Sequence, residues 1–287
     1  MEPKAENKTI LIHMTDFHFG DDMSINYASG KISQEQIAGL IIAELQSFGP
    51  ANLVIAIGGD IADKADEYYY LAARRFFKQL SDAFAHINVT YIICPGNHDI
   101  NGKVAEKFGA FNAFARELTK SNEFLYSHKH TAGILEKYGW SFIAANTAFQ
   151  EDKGSSQVYI PHLEEKLAAA RFPVILLMHH HLIPMYQSDH SPVSNALDVF
   201  KTVLQTKVKL LLHGHVHSAV RIFVGNGQEQ LPVVGCGALL PRLGDNYLNQ
   251  FNIFDLQQDG IINVYPYAVT NESTSKAGPA VIKYYLS

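Results

Sequence analysis

One arrangement occurs five times along this chain of 287 residues: a short apolar segment ends in side chains that can ligate a metal ion. Each segment has the length of a buried strand, and patterns of helical period separate most of them. Ligands of open α/β sheets bind beyond the carboxyl ends of the strands, so all five motifs can converge on one edge. In chain order, the motifs are Asp16-x-His18, Gly59-Asp60, Gly96-Asn97-His98-Asp99, His179 and Gly214-His215-x-His217.

The third motif belongs to the stretch Cys94-Pro95-Gly96-Asn97-His98-Asp99, which follows the apolar run 89–93. Its Pro and Gly predict a turn at the end of a strand. A turn alone does not require an amide, an imidazole and a carboxylate side by side. Taken by itself, the stretch is compatible with a polar turn or with a functional site, and the other four motifs favour the site.

Strands and helices alternate over most of the sequence, and strands alone follow. Helical patterns cover 33–49, with Ser33 as the expected N-cap, and then 66–84, 104–118, 161–170 and 196–204. Strand patterns cover 9–14, 53–57, 89–93, 140–145, 174–178 and 208–212, and then 219–224, 231–234, 251–256, 261–267 and 281–286. The sequence Gly225-Asn226-Gly227 is a hairpin signal.

This order of elements predicts an α/β fold in the form of a four-layer α/β/β/α sandwich, with two mixed sheets flanked by helices. The metal site is expected at the carboxyl ends of the strands. We expect a single domain over residues 1–287, in which residues 1–8 form a polar tail. The strand-rich part, residues 219–287, is expected to complete the second sheet.

The charge and the composition argue against several classes of protein. A net charge of −5 and the lack of a run rich in Lys and Arg argue against binding to extended nucleic acid. No apolar run approaches the roughly 20 residues of a membrane helix, and residues 1–8 are too polar for a signal peptide. Cys94 and Cys236 lie in apolar runs and are expected to be buried thiols. We therefore expect a cytoplasmic protein without a membrane partner, and the sequence leaves open whether it forms a homodimer.

The five motifs, in this order, resemble the calcineurin-like metallophosphoesterase superfamily, whose pattern is Asp-x-His, Gly-Asp, Gly-Asn-His-Asp/Glu, His and Gly-His-x-His. The resemblance extends from residue 16 to residue 217. It implies two metal ions. Asp16, His18 and His217 would hold one ion, Asn97, His179 and His215 would hold the other, and Asp60 would bridge the two. Mixed carboxylate, imidazole and amide ligands suit Mn, Fe, Zn or Co.

The resemblance also implies a mechanism in which a hydroxide that bridges the metals attacks phosphorus in line with the leaving oxygen. His98 would be catalytic, either by donating a hydrogen bond to the phosphoryl oxygens or by protonating the leaving group. Asp99 would orient His98 through its other ring nitrogen. Asn97 and His98 would both contact the substrate.

Several polar residues near the motifs have alternative interpretations. His180 is expected to support a ligand, and His181 to line the substrate groove. His213 is expected to be an inner histidine with satisfied hydrogen bonds. Asp63 is compatible with orienting a ligand or with capping the next helix. Arg242 lies in a turn that can face the site, where it would contact a substrate phosphate.

The short chain and the pair His179-His180 resemble the branch that contains class III cyclic-nucleotide phosphodiesterases and glycerophosphodiesterases. Phe17 and His181 depart from this branch, which often has Leu and Pro at these positions. The expected function is hydrolysis of a small phosphodiester, with a cyclic nucleotide as the first substrate to consider. The alternatives are a phosphomonoesterase or nucleotidase with the same centre, and a non-catalytic scaffold of the same fold. Substrate choice is expected to depend on segments 19–30, 101–139 and 182–195.

Overall fold

Two mixed β-sheets form the centre of the protein in a computed structural model. The model describes residues 8–20, 25–27, 30–150, 154–225, 230–240, 249–257, 260–269, 274–276 and 280–282. In chain order, the elements are β1 (Thr9–Met14), β2 (Ile25–Tyr27), β3 (Gly30–Ile32), α1 (Gln34–Phe48), β4 (Asn52–Ile57), α2 (Glu67–Ala83), β5 (Asn88–Ile93), α3 (Gly109–Thr119), β6 (Ala132–Lys137), β7 (Trp140–Ala145), α4 (Ile160–Ala169), β8 (Val174–Met178), α5 (Ala196–Val203), β9 (Val208–His213), β10 (Val220–Gly225), β11 (Gln230–Gly235), β12 (Asn249–Leu256), β13 (Ile262–Val269), β14 (Thr274–Lys276) and β15 (Ala280–Ile282).

The first sheet has the strand order β14-β13-β12-β1-β4-β5, and β15 pairs with β13. β1, β4 and β5 are parallel, whereas β12 to β15 are joined by antiparallel pairings. The second sheet has the order β10-β11-β9-β8-β7-β6. Its four central strands are parallel, and its two edge strands, β6 and β10, pair antiparallel with their neighbours. The predicted two mixed sheets with flanking helices are confirmed.

Alternating side chains of the second sheet pack against two different layers. Phe142 and Ala144 of β7 belong to the large core that also contains β1, β4, β5 and the helices α1 to α3. Ile143 and Ala145, between and after them, belong to a second core that includes residues of α4 and α5. Because consecutive side chains of a strand point to opposite faces, one strand separates the inner core from the outer helices. This alternation produces the four layers.

The caps of the first two helices follow from the sequence. Ser33 caps α1 in a reciprocal pair with Gln36, whose backbone N–H donates to the Ser33 hydroxyl at 3.2 Å. The helix ends at Gly49, which has the left-handed φ of 58° that favours glycine. Asp66 caps α2 by accepting a hydrogen bond from the Tyr68 backbone at 3.0 Å. These helix ends agree with the predicted ones, whereas α3 begins five residues later than predicted.

β6 was not predicted, because its half-buried sequence lacks a clear alternation of apolar and polar residues. The dipeptide Tyr138-Gly139 before β7 was nevertheless a local signal for a hairpin turn. Lys137 pairs with Trp140 across Tyr138 and Gly139, which have φ values of 55° and 79°. Two left-handed residues between paired strands are typical of the tightest hairpin turns, and glycine favours them.

The strand-rich C-terminal part was expected to complete the second sheet, and this is wrong for most of it. Of the strands described in this part, β10 and β11 alone join that sheet, whereas β12 pairs antiparallel with β1 and extends the first sheet. The physical reason is that β1 has β4 on one edge only, and β12 satisfies the backbone groups of the other edge. The predicted hairpin turn and residues 283–286 of the predicted last strand lie outside the described residues.

Buried side chains close the space between the sheets. The Tyr126 hydroxyl lies 2.8 Å from the Ile93 carbonyl at the end of β5 and 3.2 Å from the Ala144 carbonyl in β7. It therefore joins a strand of one sheet to a strand of the other. Cys94 and Cys236 are buried free thiols, as expected.

We predict that Tyr126→Phe lowers the free energy of unfolding by about 1–2 kcal/mol, because it removes a buried donor that two carbonyls share. Chemical denaturation followed by circular dichroism measures this loss. The control is Tyr68→Phe, since Tyr68 is 64% exposed and should tolerate the change. Equal stabilities of the two variants would contradict a structural role for the Tyr126 hydroxyl.

Candidate metal centre

Four backbone-mediated hydrogen bonds bring the predicted motifs together at one edge of the two sheets. Within the first sheet, the Asp16 N–H donates to the Gly59 carbonyl at 3.0 Å, and the His98 N–H donates to Asp60 Oδ1 at 2.7 Å. Within the second sheet, the Gly214 N–H donates to the His179 carbonyl at 2.9 Å. The His215 N–H then donates to Asp16 Oδ2 at 3.0 Å, which connects the sheets. All five motifs therefore border one site.

The first predicted group of ligands surrounds a common point. His217 Nε2 lies 3.2 Å from both His18 Nε2 and Asp16 Oδ1. His18 Nε2 is 3.9 Å from Asp16 Oδ1 and 3.9 Å from Asp60 Oδ2. Two imidazole nitrogens and two carboxylate oxygens are a suitable donor set for one transition-metal ion.

The second predicted group shares Asp60 with the first. Asp60 Oδ2 is 3.3 Å from His179 Nε2, which in turn is 3.2 Å from His215 Nδ1. The opposite nitrogen of His179 lies 2.7 Å from the Gly58 carbonyl, so Nδ1 donates and Nε2 carries the lone pair when the ring is neutral. Asn97 follows the same turn as His98 and borders the cleft with Asp60.

Two of the candidate ligand atoms are buried without a hydrogen-bond partner among the described residues. They are Asn97 Oδ1 and Asp16 Oδ1, and the ring nitrogen that lies 3.2 Å from the latter, His217 Nε2, is itself a candidate ligand atom. Buried polar oxygens normally have partners, and an orphaned acceptor therefore needs an explanation. Both atoms belong to the predicted ligand set, and both are of a type that binds divalent cations. The residues present thus fit a pair of metal ions.

The backbone of this edge is unusual in the same places. Five of the candidate ligands have left-handed backbone angles, with φ between 45° for His18 and 72° for His215; the others are Asp16, Asp60 and His217. Residues with a Cβ atom rarely adopt this region, and such strain tends to occur at functional sites. It turns the chain sharply after β1, β4 and β9, which directs these side chains to a common centre.

Three glycines allow the turns to approach one another. A Cβ atom on Gly59 would lie 2.7 Å from the Gly96 nitrogen and 2.8 Å from His179 Nδ1. A Cβ atom on Gly96 would collide with the Asp60 carboxylate, and one on Gly214 would collide with Thr15 and Asp16. Any side chain at these positions would therefore push the ligand-bearing turns apart.

Burial and charge set the protonation of the ring nitrogens. Burial lowers the pKa of His18 to about 4 and that of His215 to about 3, so both rings are neutral near pH 7. Burial also lowers the pKa of His179, but the charge of Asp60 and a hydrogen bond to it raise the value to about 9. In the same way, Asp16 raises the pKa of His217 against the effect of burial. Near pH 7 the protein without metal therefore holds a proton on His179, beside the buried Asp60 carboxylate.

Asp99 has partners that differ from the predicted one. It was expected to orient His98, but its carboxylate accepts hydrogen bonds from the backbones of Gly96 and Ile61 at 2.9 Å and 3.2 Å, and from the Tyr70 hydroxyl at 2.6 Å. The buried carboxylate thus connects the turn after β5 to the turn after β4. The reason is geometric, because a tight Gly96–Asp99 turn directs the carboxylate back to its own backbone.

Asp63 takes the role that was expected of Asp99. The Asp63 carbonyl lies 3.0 Å from His98 Nδ1, and its carboxylate is 3.9 Å from the same atom. These contacts fit neither of the two interpretations of Asp63, because His98 is not one of the predicted ligands. The helix cap is provided by Asp66 instead.

Sequence reasoning missed Tyr70, which is fully buried on α2. Its position in an aromatic-rich amphipathic helix predicted only a core residue. The available signal was its hydroxyl, since a buried Tyr usually donates to a nearby acceptor.

The remaining predicted residues occupy the following places. His180 supports the site, with Nδ1 2.6 Å from the Thr147 hydroxyl. It also belongs, with His179 and His215, to a group of side chains close enough to share an ion. His181 was expected in the substrate groove, but its side chain is buried, with 1% exposed. Its Nε2 donates a hydrogen bond to the Asp189 carboxylate at 2.8 Å. His213 is buried, as expected, and its Nδ1 lies 3.1 Å from the Gly214 carbonyl. Arg242 lies outside the described residues.

An open cleft of about 600 Å³ lies over the centre. It is bordered by candidate ligands and His98, and by a segment that follows β8. None of its described lining residues is Lys or Arg; they are His18, Asp60, Asn97, His98, Met185, Tyr186, Asp189, Ser191, His215, Val216, His217 and Ser218. Such a volume suits a small molecule. In the described part of the chain, no helix is both long and apolar enough to cross a membrane.

Comparison with known proteins agrees with this geometry. The family model described as calcineurin-like phosphoesterase matches residues 10–219. A probable cyclic nucleotide phosphodiesterase of Psychrobacter sp. (strain PRwf-1) is 24% identical over 195 residues, which cover 63% of this chain and 52% of that protein. The chain thus spans about half the length of this relative. The 3′,5′-cyclic adenosine monophosphate phosphodiesterase CpdA of Haemophilus influenzae is 25% identical over 224 residues, which cover 76% of this chain and 73% of that protein.

Two solved structures show the same fold at low identity. The purple acid phosphatase PPD1 from yellow lupin has a TM-score of 0.61 and 14% identity, with coverage of 94% of this chain and 53% of that one. The calcineurin-like phosphoesterase YfkN from Bacillus subtilis has a TM-score of 0.50 and 15% identity, with coverage of 96% and 90%.

We predict that Tyr70→Phe lowers the free energy of unfolding by about 2 kcal/mol, because it removes a hydrogen bond to a buried charge. It should also weaken metal binding, since Asp99 holds the turn that carries Asn97. Thermal denaturation and metal titration measure the two effects. The control is Tyr69→Phe, which alters a neighbouring and more exposed residue of the same helix. A Tyr70→Phe variant with wild-type stability would contradict the role of the hydroxyl.

We also predict that metal binding releases about one proton near pH 7.5, because a ligating imidazole must be deprotonated. His179, whose pKa is raised to about 9, is the source, while His18 and His215 are already neutral. The release should diminish as the pH rises through about 9, where His179 loses its proton without metal. Calorimetric titration in buffers with different ionisation enthalpies measures it. Proton release that does not change between pH 7 and pH 10 would refute this assignment.

Proposed function

The chain belongs to the calcineurin-like phosphoesterase family, and from that premise we propose that it hydrolyses a small phosphodiester, with a cyclic nucleotide as the first candidate substrate. The family and the named relatives support a metal-dependent phosphoric ester hydrolase. Two relatives whose names specify cyclic-nucleotide or cyclic-AMP phosphodiesterases support the diester. We propose the cytoplasm as the compartment in which this hydrolysis takes place.

The observation that carries the proposal is the pair of ligand groups joined by Asp60. Seven side chains would provide the donor atoms; six of them lie in groups close enough to share an ion, and Asn97 and His98 border the same cleft. The proposed ligands are Asp16, His18, Asp60, Asn97, His179, His215 and His217. When bound, two divalent ions at such a site supply Lewis-acid activation of water and of the phosphoryl oxygens. The donor set favours Mn, Fe, Zn or Co, as the sequence had indicated.

The protein itself positions the acid–base residue. His98 Nδ1 donates to the Asp63 carbonyl, so Nε2 is the nitrogen that would contact the substrate. When the ring is doubly protonated, Nε2–H can donate a hydrogen bond to a phosphoryl oxygen or its proton to the leaving oxygen, while Nδ1–H keeps its bond to the Asp63 carbonyl. The His98 backbone is held by Asp60, which keeps the acid–base residue at a fixed distance from the proposed ligands.

The charge of the cleft favours a diester over a monoester. A phosphodiester carries a single negative charge, whereas a phosphomonoester approaches two near neutral pH. Among the described lining residues of the cleft, no Lys or Arg is present to neutralise the additional charge. Metal ions would therefore have to neutralise the phosphate charge, and a diester needs less positive charge for this than a monoester does.

We expect Mn²⁺-loaded wild-type protein to hydrolyse cyclic AMP and a chromogenic phosphodiester faster than a chromogenic phosphomonoester. Asp60→Asn should abolish turnover and reduce metal content, because it removes the shared carboxylate. Initial rates with the three esters, together with metal analysis, provide the test. A preference for the monoester would refute the diesterase proposal, and no turnover of any ester by metal-loaded protein would refute hydrolysis altogether.

His98→Ala should retain both metals and lose roughly 10²–10⁴-fold in rate, the usual contribution of a general acid. The metal content separates loss of chemistry from loss of the centre. Lys78→Ala on the exposed surface of α2 is a suitable control for protein handling. Full activity of a metal-loaded His98→Ala variant would remove His98 from the mechanism.

A further inference from the structure

One wall of the cleft consists of side chains unlike those of the metal centre. Met185 and Tyr186 lie in the segment between β8 and α5 and border the same cleft as the candidate ligands. Met185 is 39% exposed and Tyr186 is 64% exposed. Large apolar surface that faces a polar cleft is available to an apolar part of a ligand. The proposed hydrolysis of the phosphoester assigns no role to these two residues.

The wall is held in place by one buried carboxylate. Asp189 Oδ2 accepts hydrogen bonds from His181 Nε2 at 2.8 Å and from the Met185 backbone at 3.0 Å. Its other oxygen accepts from the Ser191 backbone at 3.0 Å and from the Ser191 hydroxyl at 2.7 Å. The Asp189 N–H donates to the Tyr186 carbonyl at 3.0 Å. A single side chain therefore determines the course of residues 185–191.

The same carboxylate connects the wall to the metal centre. The His181 ring stacks on the ring of His215, with 5.7 Å between centroids and 22° between planes. His181 is thus in contact with a proposed ligand on one side and with Asp189 on the other. These two contacts connect the wall directly to a proposed ligand.

We propose that Tyr186, with Met185 beside it, selects substrates by stacking against a flat aromatic group of the phosphoester, a nucleobase in the first instance, and that His181 and Asp189 are positioning residues for this wall. The inference rests on the proposed function. An aromatic ring beside a base provides dispersion and apolar burial without requiring a particular base. The absence of Lys and Arg from the described lining fits a ligand with no second charged group.

The test compares two diesters that differ in the aromatic group. Cyclic AMP carries a base, whereas glycerophosphoethanolamine has no ring. With Mn²⁺-loaded protein, Tyr186→Ala should raise the KM for cyclic AMP about tenfold, equal to about 1.4 kcal/mol, and leave kcat within about twofold. The KM for glycerophosphoethanolamine should not change. Tyr186→Phe should retain the wild-type KM for both, because the ring and not the hydroxyl makes the contact.

Tyr68→Ala is the matched control, since Tyr68 is also 64% exposed but lies on α2 and does not border the cleft. A readout independent of turnover is the binding of adenosine 5′-monophosphate by calorimetry, where Tyr186→Ala should raise the Kd about tenfold. Asp189→Ala should raise the KM for cyclic AMP similarly, and the double variant should be little worse than either single one, because both changes remove the same contact.

The outcomes separate this inference from the function on which it rests. If wild-type protein hydrolyses neither diester, the proposed function fails, and the nucleotide-binding comparison still decides whether Tyr186 contacts a base. If wild-type protein hydrolyses cyclic AMP and Tyr186→Ala leaves its KM and the nucleotide Kd unchanged, the inference is wrong and the function stands. Equal increases in KM for both diesters, or an increase in Tyr68→Ala, would also overturn it.

Discussion

The buried charge of Asp60 is the constraint on which the rest of this edge depends. The residue is 2% exposed, and its two oxygens are reached from both sheets. The His98 backbone donates to Oδ1, while His179 and His18 approach Oδ2 at 3.3 Å and 3.9 Å. An uncompensated buried carboxylate costs several kcal/mol, so it must have a counter-charge. Without metal, protonated His179 provides one below about pH 9, and this stabilisation is lost as the pH rises through that value.

The strained turns require a rigid support. A left-handed conformation costs on the order of 1 kcal/mol or more for a residue with a Cβ atom, and five candidate ligands adopt it. Residues held in this way persist only where the surroundings determine the backbone. Here the support is the parallel register of β1, β4 and β5, all of which end in the same core, and of β8 and β9 in the second sheet. The stability of the inner core therefore maintains the geometry of the centre.

The parts of the site that were predictable are those determined locally. A ligand at the end of a parallel strand occupies a position that strand order alone specifies, and this is why Asp16, Asp60 and His215 could be placed without coordinates. The partners of Asp99 and His98 could not be placed in this way. Tyr70 reaches Asp99 from a helix 29 residues earlier in the sequence, and Asp63 reaches His98 across 35 residues. Such contacts depend on how a helix packs on its sheet, which periodicity does not specify.

The same distinction explains why β12 joined the unexpected sheet. Its pattern of apolar residues identified a strand, but either sheet had an edge that could accept it. The choice depends on the backbone groups that β1 leaves available, which is a property of the assembled sheet.

His181 shows how substrate selection and chemistry are connected in this protein. Its ring lies between Asp189, which holds the cleft wall, and His215, which belongs to the proposed metal centre. A proline at this position would provide neither the hydrogen bond nor a planar ring for stacking. With histidine, one side chain provides both contacts. One buried imidazole, that of His181, therefore contacts both the cleft wall and the proposed metal centre. The wall would recognise the substrate and the centre would cleave its ester bond. A substitution of His181 therefore alters both.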